Sequence, residues 1–430
     1  MQFLGVPVMY SFQVRSVLTI VLALAFCGSA SKTLAQQTLA LDRELDAGVS
    51  DGCAADVSPP APRSHPAPDA VKVLAPKSGF YAGVYQIPIQ PQSVTAFADA
   101  IGHFPPITFS FHDMFSETNY SQKPDKTLLD PMEGESGLNV FDMARYVDDR
   151  GSVLALAWAI YCCDYNKVGF WHRTLKPHAH FERILRGEQD DFLRASARQI
   201  KEYGRPVMLT LVPEFNWQGQ VLFGGDGRQW MDSVDNICNQ YGDPTWPDGP
   251  ERIRDLNMHV IDLFRSEGVK NVTWFMYAGS NYMADGPEGQ SIWLHPKYYY
   301  PGDDYIDWIG QSAFFTDAKW AGNYDESGTF EQVFLPGYRA WNSVTDKPML
   351  LAEFAVQAGS SQDRSHLWKE LLSTQLPALP GVKAIAIAES PLFERYFDIP
   401  MIGKRPNEMA EVRQQLHAQG VADIRLRLSR

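Results

Sequence analysis

Cysteine is scarce in this chain, with five in 430 residues and no Cys-x-x-Cys pair. That leaves no motif for a redox dithiol or a thiolate zinc knuckle. Basic clusters are missing too. The formal net charge is −13 and no Lys/Arg stripe is present to neutralise phosphates, which argues against a nucleic-acid partner. After the N-terminus no apolar run is long enough to span a bilayer, so no stable membrane span is expected in the mature protein. The Gly-rich run Gly224-Gly225-Asp226-Gly227 lacks both the Lys-Ser/Thr of a phosphate loop and the ligand spacing of an EF-hand. His172, His178 and His180 read as solvated loop residues rather than zinc ligands. No cofactor and no metal are implied.

What is present begins with a targeting segment. Arg15 precedes an apolar run from Val17 to Phe26, and small residues follow through Ala30 to Thr33-Leu34-Ala35. This is the order of a secretory signal, with cleavage after Ala30 or Ala35, so residues 1–35 are expected to direct export to the periplasm or beyond the cell. Export removes Cys27. The oxidising destination then makes a disulfide between Cys238 and either Cys162 or Cys163 the expected pairing, with Cys53 as the fourth thiol and unpaired buried thiols as the alternative. Residues 36–75 contain Pro59-Pro60-Ala61-Pro62 and Pro66-Ala67-Pro68, the composition of a disordered polyproline-like linker. The folded region is expected over residues 76–430.

From there apolar runs alternate with helix-like segments. Expected strands are Phe80–Ile89, Ile107–Phe111, Ser152–Ile160, Pro206–Val212, Asn271–Ala278, Tyr305–Ala313, Pro348–Phe354 and Val382–Ala388. Expected helices are Gln92–Ile101, Leu138–Asp149, Gln189–Tyr203, Glu251–Glu267, a short turn near Pro296–Tyr299, Phe330–Trp341, Asp363–Leu372 and Asn407–Gln419. Within Gln189–Tyr203 the apolar residues recur at helical spacing, and Gly204 and Pro206 stop the helix. Eight strands, each followed by a helix, predict an α/β fold of the (β/α)8 TIM-barrel type.

The strand count gives two glutamates a place. Glu214 follows the fourth strand and Glu353 ends the seventh, and in such barrels the C-terminal strand ends form the catalytic face. Asp113, Asp164 and Glu389 also fall at strand ends, whereas Asp303, Asp304 and Asp307 read as caps that orient the sixth strand. A retaining glycosidase needs a protonated carboxyl for the leaving oxygen and an ionised one about 5–5.5 Å away as nucleophile. Val212, Pro213 and Phe215 limit hydration around Glu214 and favour its neutral form, as the acid/base requires. Glu353 is then the nucleophile. Sugar rings stack on aromatics, and of eleven tryptophans Trp217, Trp274 and Trp293, with Asn216, are the expected substrate contacts. Trp246 sits in a loop that could wall a cleft, and Trp308 and Trp341 read as core.

These stretches resemble a known family. "FLRASARQIKEYGRPVMLTLVPEFNW", "NVTWFMYAG", "YYYPGDDYIDWIGQSAF" and "KPMLLAEFAV" are similar to the strand units around the acid/base, the fifth and sixth strands and the nucleophile of glycoside hydrolase family 26, the β-mannanase type. The resemblance covers roughly residues 188–390. It implies a (β/α)8 barrel and double displacement on a β-linked polysaccharide or oligosaccharide, with Glu214 as acid/base and Glu353 as nucleophile. Departures surround the carboxylates. Pro213 stands where the family usually has His, Trp217 where glycine is usual, and Phe314 and Phe315 where a tyrosine that hydrogen-bonds the nucleophile is expected. Two alternatives stay open: a glycan-binding barrel impaired in catalysis, and an enzyme of exopolysaccharide trimming or assembly.

Overall fold

The structure is a computed structural model that describes residues 64–67, 69–114, 124–132, 137–159, 183–216, 241–243, 248–279, 295–316, 328–357, 363–391, 394 and 401–419. All of them belong to the unit Gly52–Arg430. Eight parallel strands close in sequence order into a barrel: β1 (Tyr81–Tyr85), β2 (Ile107–Asp113), β3 (Val153–Ala159), β4 (Val207–Thr210), β5 (Val272–Ala278), β6 (Trp308–Phe315), β7 (Met349–Val356) and β8 (Val382–Ala388). The (β/α)8 expectation is met, and each strand lies within a few residues of its expected span.

Helices α1 (Pro91–Ile101), α2 (Val140–Asp148), α3 (Asp190–Tyr203), α4 (Asp248–Ser266), α5 (Phe330–Asn342), α6 (Ser365–Glu370) and α7 (Pro406–Ala418) follow the strands. Between β5 and β6 the described residues form only the 3-10 turn Pro296–Tyr298, the short element that the sequence suggested. Local signals account for the ends. Asn139 caps α2 by accepting from the Asp142 N–H, Thr329 and Gln332 form a capping box on α5, and Gly204 closes α3 in the left-handed region. No helix among the described residues is long and apolar enough to cross a membrane.

Strand alternation sorts the core into two layers. Residues facing outward, such as Leu209, Trp274, Met276, Ile309 and Phe354, pack under the helices. Residues facing inward fill the barrel: Tyr81, Tyr85, Phe109, Phe275, Tyr277 and Trp308 from some strands lie against alanines from β3, β7 and β8. Large rings opposite methyl groups let one narrow interior close without voids. Gly310 on β6 belongs to this fit, because a Cβ there would come within 2.6 Å of the Tyr277 Cβ.

The folded region starts earlier than residue 76. Ser64 hydrogen-bonds Asp262, Val71 N–H donates to the Lys270 carbonyl, and Val73 N–H donates to Thr273 Oγ1 at 2.8 Å. The Lys72 ammonium donates to the Val272 carbonyl at 2.7 Å and to Asp307 at 2.6 Å, and Trp308 Nε1–H donates to the Val73 carbonyl. The end of the Pro-rich stretch is therefore a strap across the N-terminal ends of β5 and β6. The N-terminal ends of β5 and β6 supply partners to backbone groups of this segment that it does not pair within itself, such as the Val71 N–H and the Val73 carbonyl.

Candidate active site

Alternation fails on β7, and this failure builds the site. Leu350 and Ala352 face the interior while Leu351 faces the helices. Unbroken alternation would turn residue 353 outward. Instead the step from Leu351 to Phe354 on β7 matches the shorter steps Gln311 to Ala313 on β6 and Ile385 to Ile387 on β8. The extra residue is a bulge, a device that re-aims a side chain beside active sites. It returns Phe354 to the outer layer and sends Glu353 inward, where the side chain is 7% exposed and accepts from the Tyr277 hydroxyl at 2.7 Å.

Glu214 reaches the same mouth by a different route. Leu211, Val212, Pro213 and Phe215 are all buried. The Phe215 ring packs 4.7 Å from Tyr299 and 5.9 Å from Trp341. Between these anchors Glu214 adopts φ +47°, the one non-glycine positive φ among the described residues. A left-handed L-residue costs about 1–2 kcal/mol, and such strain gathers at functional sites. The side chain is half-buried, and its Oε1 accepts from the Ser312 hydroxyl of β6 at 2.5 Å.

The two carboxyls feel each other. Burial, reinforced by the charge of Glu214, raises the Glu353 carboxyl well above the usual carboxylate range, and the Tyr277 hydroxyl opposes the rise. Tyr277 is itself pushed far up by burial and then by Glu353 and Glu214, so it stays a protonated donor. A negative charge on Glu214 thus opposes a second one on Glu353.

Other expected residues fall elsewhere. Trp274 is a correction: it is the third residue of β5, near the N-terminal end and facing outward, 4% exposed, with its ring 5.3 Å from Phe264. It packs the sheet against α4 and cannot meet substrate. Asn216 plays a structural part here. It is fully buried, its Nδ2–H donates to the Gly279 carbonyl at 3.1 Å and its Oδ1 accepts from the Gly279 N–H at 2.7 Å. It ties the Glu214 turn to the end of β5. Trp217, Trp246, Trp293, Asp164, the three loop histidines, the Gly224–Gly227 run, Cys53, Cys162, Cys163 and Cys238 lie outside the described residues.

Asp113 ends β2 and is buried. Glu389, just after β8, is buried and accepts from the Ile402 and Gly403 N–H groups at 2.8 and 2.9 Å, and burial pushes its carboxyl up to about 7. Asp303 accepts from the Tyr300 and Thr345 hydroxyls, and Asp307 from Lys72 and the Trp274 N–H, so both orient the entry to β6. Trp308 and Trp341 are fully buried core.

Sequence reasoning missed Tyr277, Ser312 and Phe111 in these places, and named Phe314 only as standing where a tyrosine was expected. Phe111 and Phe314 are half-buried rings packed on the interior layer near the C-terminal ends of β2 and β6. The inward parity of Phe275 and Trp308 was the available signal for Tyr277, Ser312 and Phe314. The described residues hold no group of three His, Cys, Asp or Glu side chains arranged to hold a metal ion.

No family model matches the chain. Over 211 residues it is 25% identical to endoglucanase H of Acetivibrio thermocellus. The match covers 49% of this chain and 19% of that protein, so the chain spans about a fifth of this curated relative's length. Among solved structures it is similar to a modular endo-β-1,4-mannanase from Cellulomonas fimi, described with the glycoside hydrolase family 26 mannanases, at 15% identity and TM-score 0.48 over 78% of this chain and 70% of that one. It is also similar to a Bacillus subtilis mannanase at 14% identity and TM-score 0.45, over 72% of this chain and 79% of that one.

Proposed function

We propose that this chain is an exported retaining glycosidase of the family 26 type, acting on a β-linked polysaccharide such as a β-mannan or a related glycan. The observation that carries the reading is the convergence of Glu214, on a strained turn, and Glu353, on a bulge, at the C-terminal mouth of one barrel. The turn and the bulge together bring two carboxyls within electrostatic reach of each other.

In this reading Glu353 attacks the anomeric carbon while Glu214 protonates the departing glycosidic oxygen. A covalent glycosyl–Glu353 ester and a Glu214 carboxylate result. Glu214 then takes a proton from water, the water oxygen attacks the anomeric carbon, and Glu353 is released as carboxylate. Tyr277 supports the nucleophile: its hydroxyl offsets part of the desolvation that would otherwise keep Glu353 protonated. Phe111 and Phe314 offer apolar faces to a sugar ring. The name of the curated relative, an endoglucanase, and the family resemblance of the sequence motivate a glucan and a β-mannan as first substrates. The N-terminal signal motivates export.

The test is turnover of a β-glycan panel by Glu214→Ala and Glu353→Ala, each assayed separately. Loss of at least about a thousandfold in each supports the pair. Wild-type turnover in both would sink the assignment.

A further inference from the structure

We infer that Ser312 is the positioning residue of the general acid: its hydroxyl fixes Glu214 Oε1, so that Oε2 carries the proton delivered to the glycosidic oxygen. The inference rests on the glycosidase reading and specifies how its acid is aimed.

Glu214 needs an external tether. Its backbone sits in a strained left-handed turn rather than in a strand or a helix. The preceding residue, Pro213, has no N–H and a buried ring, so it offers the carboxyl no donor. Asn216 bonds Gly279 through both amide atoms and so ties the turn to the end of β5. Ser312 comes from a more rigid place. It is buried on β6, one strand residue short of Ala313, where the β7 pairing resumes beyond the bulge. Functional side chains held by strands are placed more precisely than those held by loops.

The hydroxyls at this mouth divide the two carboxyls between them. Tyr277 on β5 donates to Glu353, and Ser312 on β6 donates to Glu214. Among the described residues, Glu214 and Tyr277 bear on Glu353, and Glu353, Glu214 and Tyr85 of β1 bear on Tyr277.

The chemistry follows from the direction of donation. With Ser312 O–H on Oε1, the acid proton resides on Oε2. As the glycosidic C–O bond breaks, that proton passes to the leaving oxygen and Glu214 becomes a carboxylate. The Ser312 bond is then charge-assisted and stronger than before. The hydroxyl thus binds the state after proton transfer better than the state before it, as a catalytic contribution requires.

The test compares the full wild-type chain with Ser312→Ala, Ser312→Thr, Glu214→Ala and Glu353→Ala on two substrates. One is an unactivated β-1,4-linked oligosaccharide that the wild type cleaves. The other is the 2,4-dinitrophenyl β-glycoside of the same sugar, whose leaving oxygen needs no proton. Ser312→Ala should lose about ten- to a hundredfold in kcat/KM on the oligosaccharide. On the dinitrophenyl glycoside it should lose no more than about threefold. Its alkaline limb in kcat/KM should move up by about one pH unit. Ser312→Thr, which keeps the hydroxyl, should restore both behaviours.

Equal losses on the two substrates, or no loss on either, would overturn the inference. If the alanine variant does not fold, Ser312→Cys, with a weak donor of similar size, takes its place in the same comparison. A loss confined to the oligosaccharide again supports the role of Ser312, and equal losses or none again overturn it. Full turnover in Glu214→Ala and Glu353→Ala would instead overturn the glycosidase reading, and this inference with it.

Discussion

Tyr277 of β5 donates its hydroxyl to Glu353 of β7 at 2.7 Å, and Gly310 on the intervening strand leaves the space beside the Tyr277 Cβ empty. The expected partner of this carboxyl was a tyrosine after the sixth strand, where Phe314 and Phe315 stand. The hydroxyl comes instead from the neighbouring strand. Tyr277→Phe should lower kcat about ten- to a hundredfold with little change in KM, because a buried charge-assisted hydrogen bond is removed. Gly310→Ala should reproduce the loss by displacing the ring. Steady-state kinetics on a cleaved β-glycan checks both, and an unchanged kcat in Tyr277→Phe would remove the residue from the mechanism.

The carboxyl pair carries a signed pH prediction. Burial and then the charge of Glu214 raise Glu353, so Glu353 ionises only as pH climbs past its raised value. Removing the neighbouring charge removes the second cause. The acid limb of kcat/KM should therefore shift to lower pH in Glu214→Gln, read with a dinitrophenyl glycoside that needs no acid. A limb that stays in place or moves upward would mean that the two carboxyls are not coupled.

Glu389 predicts a stability slope outside the chemistry. Its folded-state value of about 7 lies above its ordinary 4.5, so the native chain binds more protons than the unfolded one between those pH values. Stability should then fall as pH rises from about 4.5 to 7, by at most about 3 kcal/mol from this group. Urea denaturation at several pH values should show a shallower slope in Glu389→Gln than in the wild type. An identical slope would show that Glu389 does not control it.

Trp274 and Lys72 should act on stability alone. Trp274→Ala empties a site against Phe264 and should cost about 3–5 kcal/mol. Lys72→Met leaves Asp307 without its ammonium partner and should cost about 1–3 kcal/mol. Denaturation midpoints test the size of each effect. KM should stay at the wild-type value in both, and a raised KM in Trp274→Ala would return that residue to the substrate site.

Much of the barrel was legible in the chain because its cause is local. Apolar runs of strand length, helical spacing in Gln189–Tyr203 and punctuation by Gly204 and Pro206 are properties of neighbours in sequence. The same patterns set Glu214 and Glu353 near strand ends. The tryptophans were less legible, because proximity to a strand says nothing about which end or which face. Trp274 lies three residues into β5 with outward parity, and both facts place it in the core.

By itself, then, the sequence determined the order of strands and helices and the approximate position of the two glutamates, since short-range periodicity encodes both. The direction in which those glutamates point was decided only by the tertiary structure. Simple alternation from Leu350 and Ala352 would have buried Glu353 under the helices, and only a bulge measured against β6 and β8 turns it inward. Glu214 is aimed by a positive φ held between Pro213 and Phe215, and its hydroxyl partner lies 98 residues away in the chain. Registers, bulges and long-range partners arise from strands meeting in space, which no local pattern records.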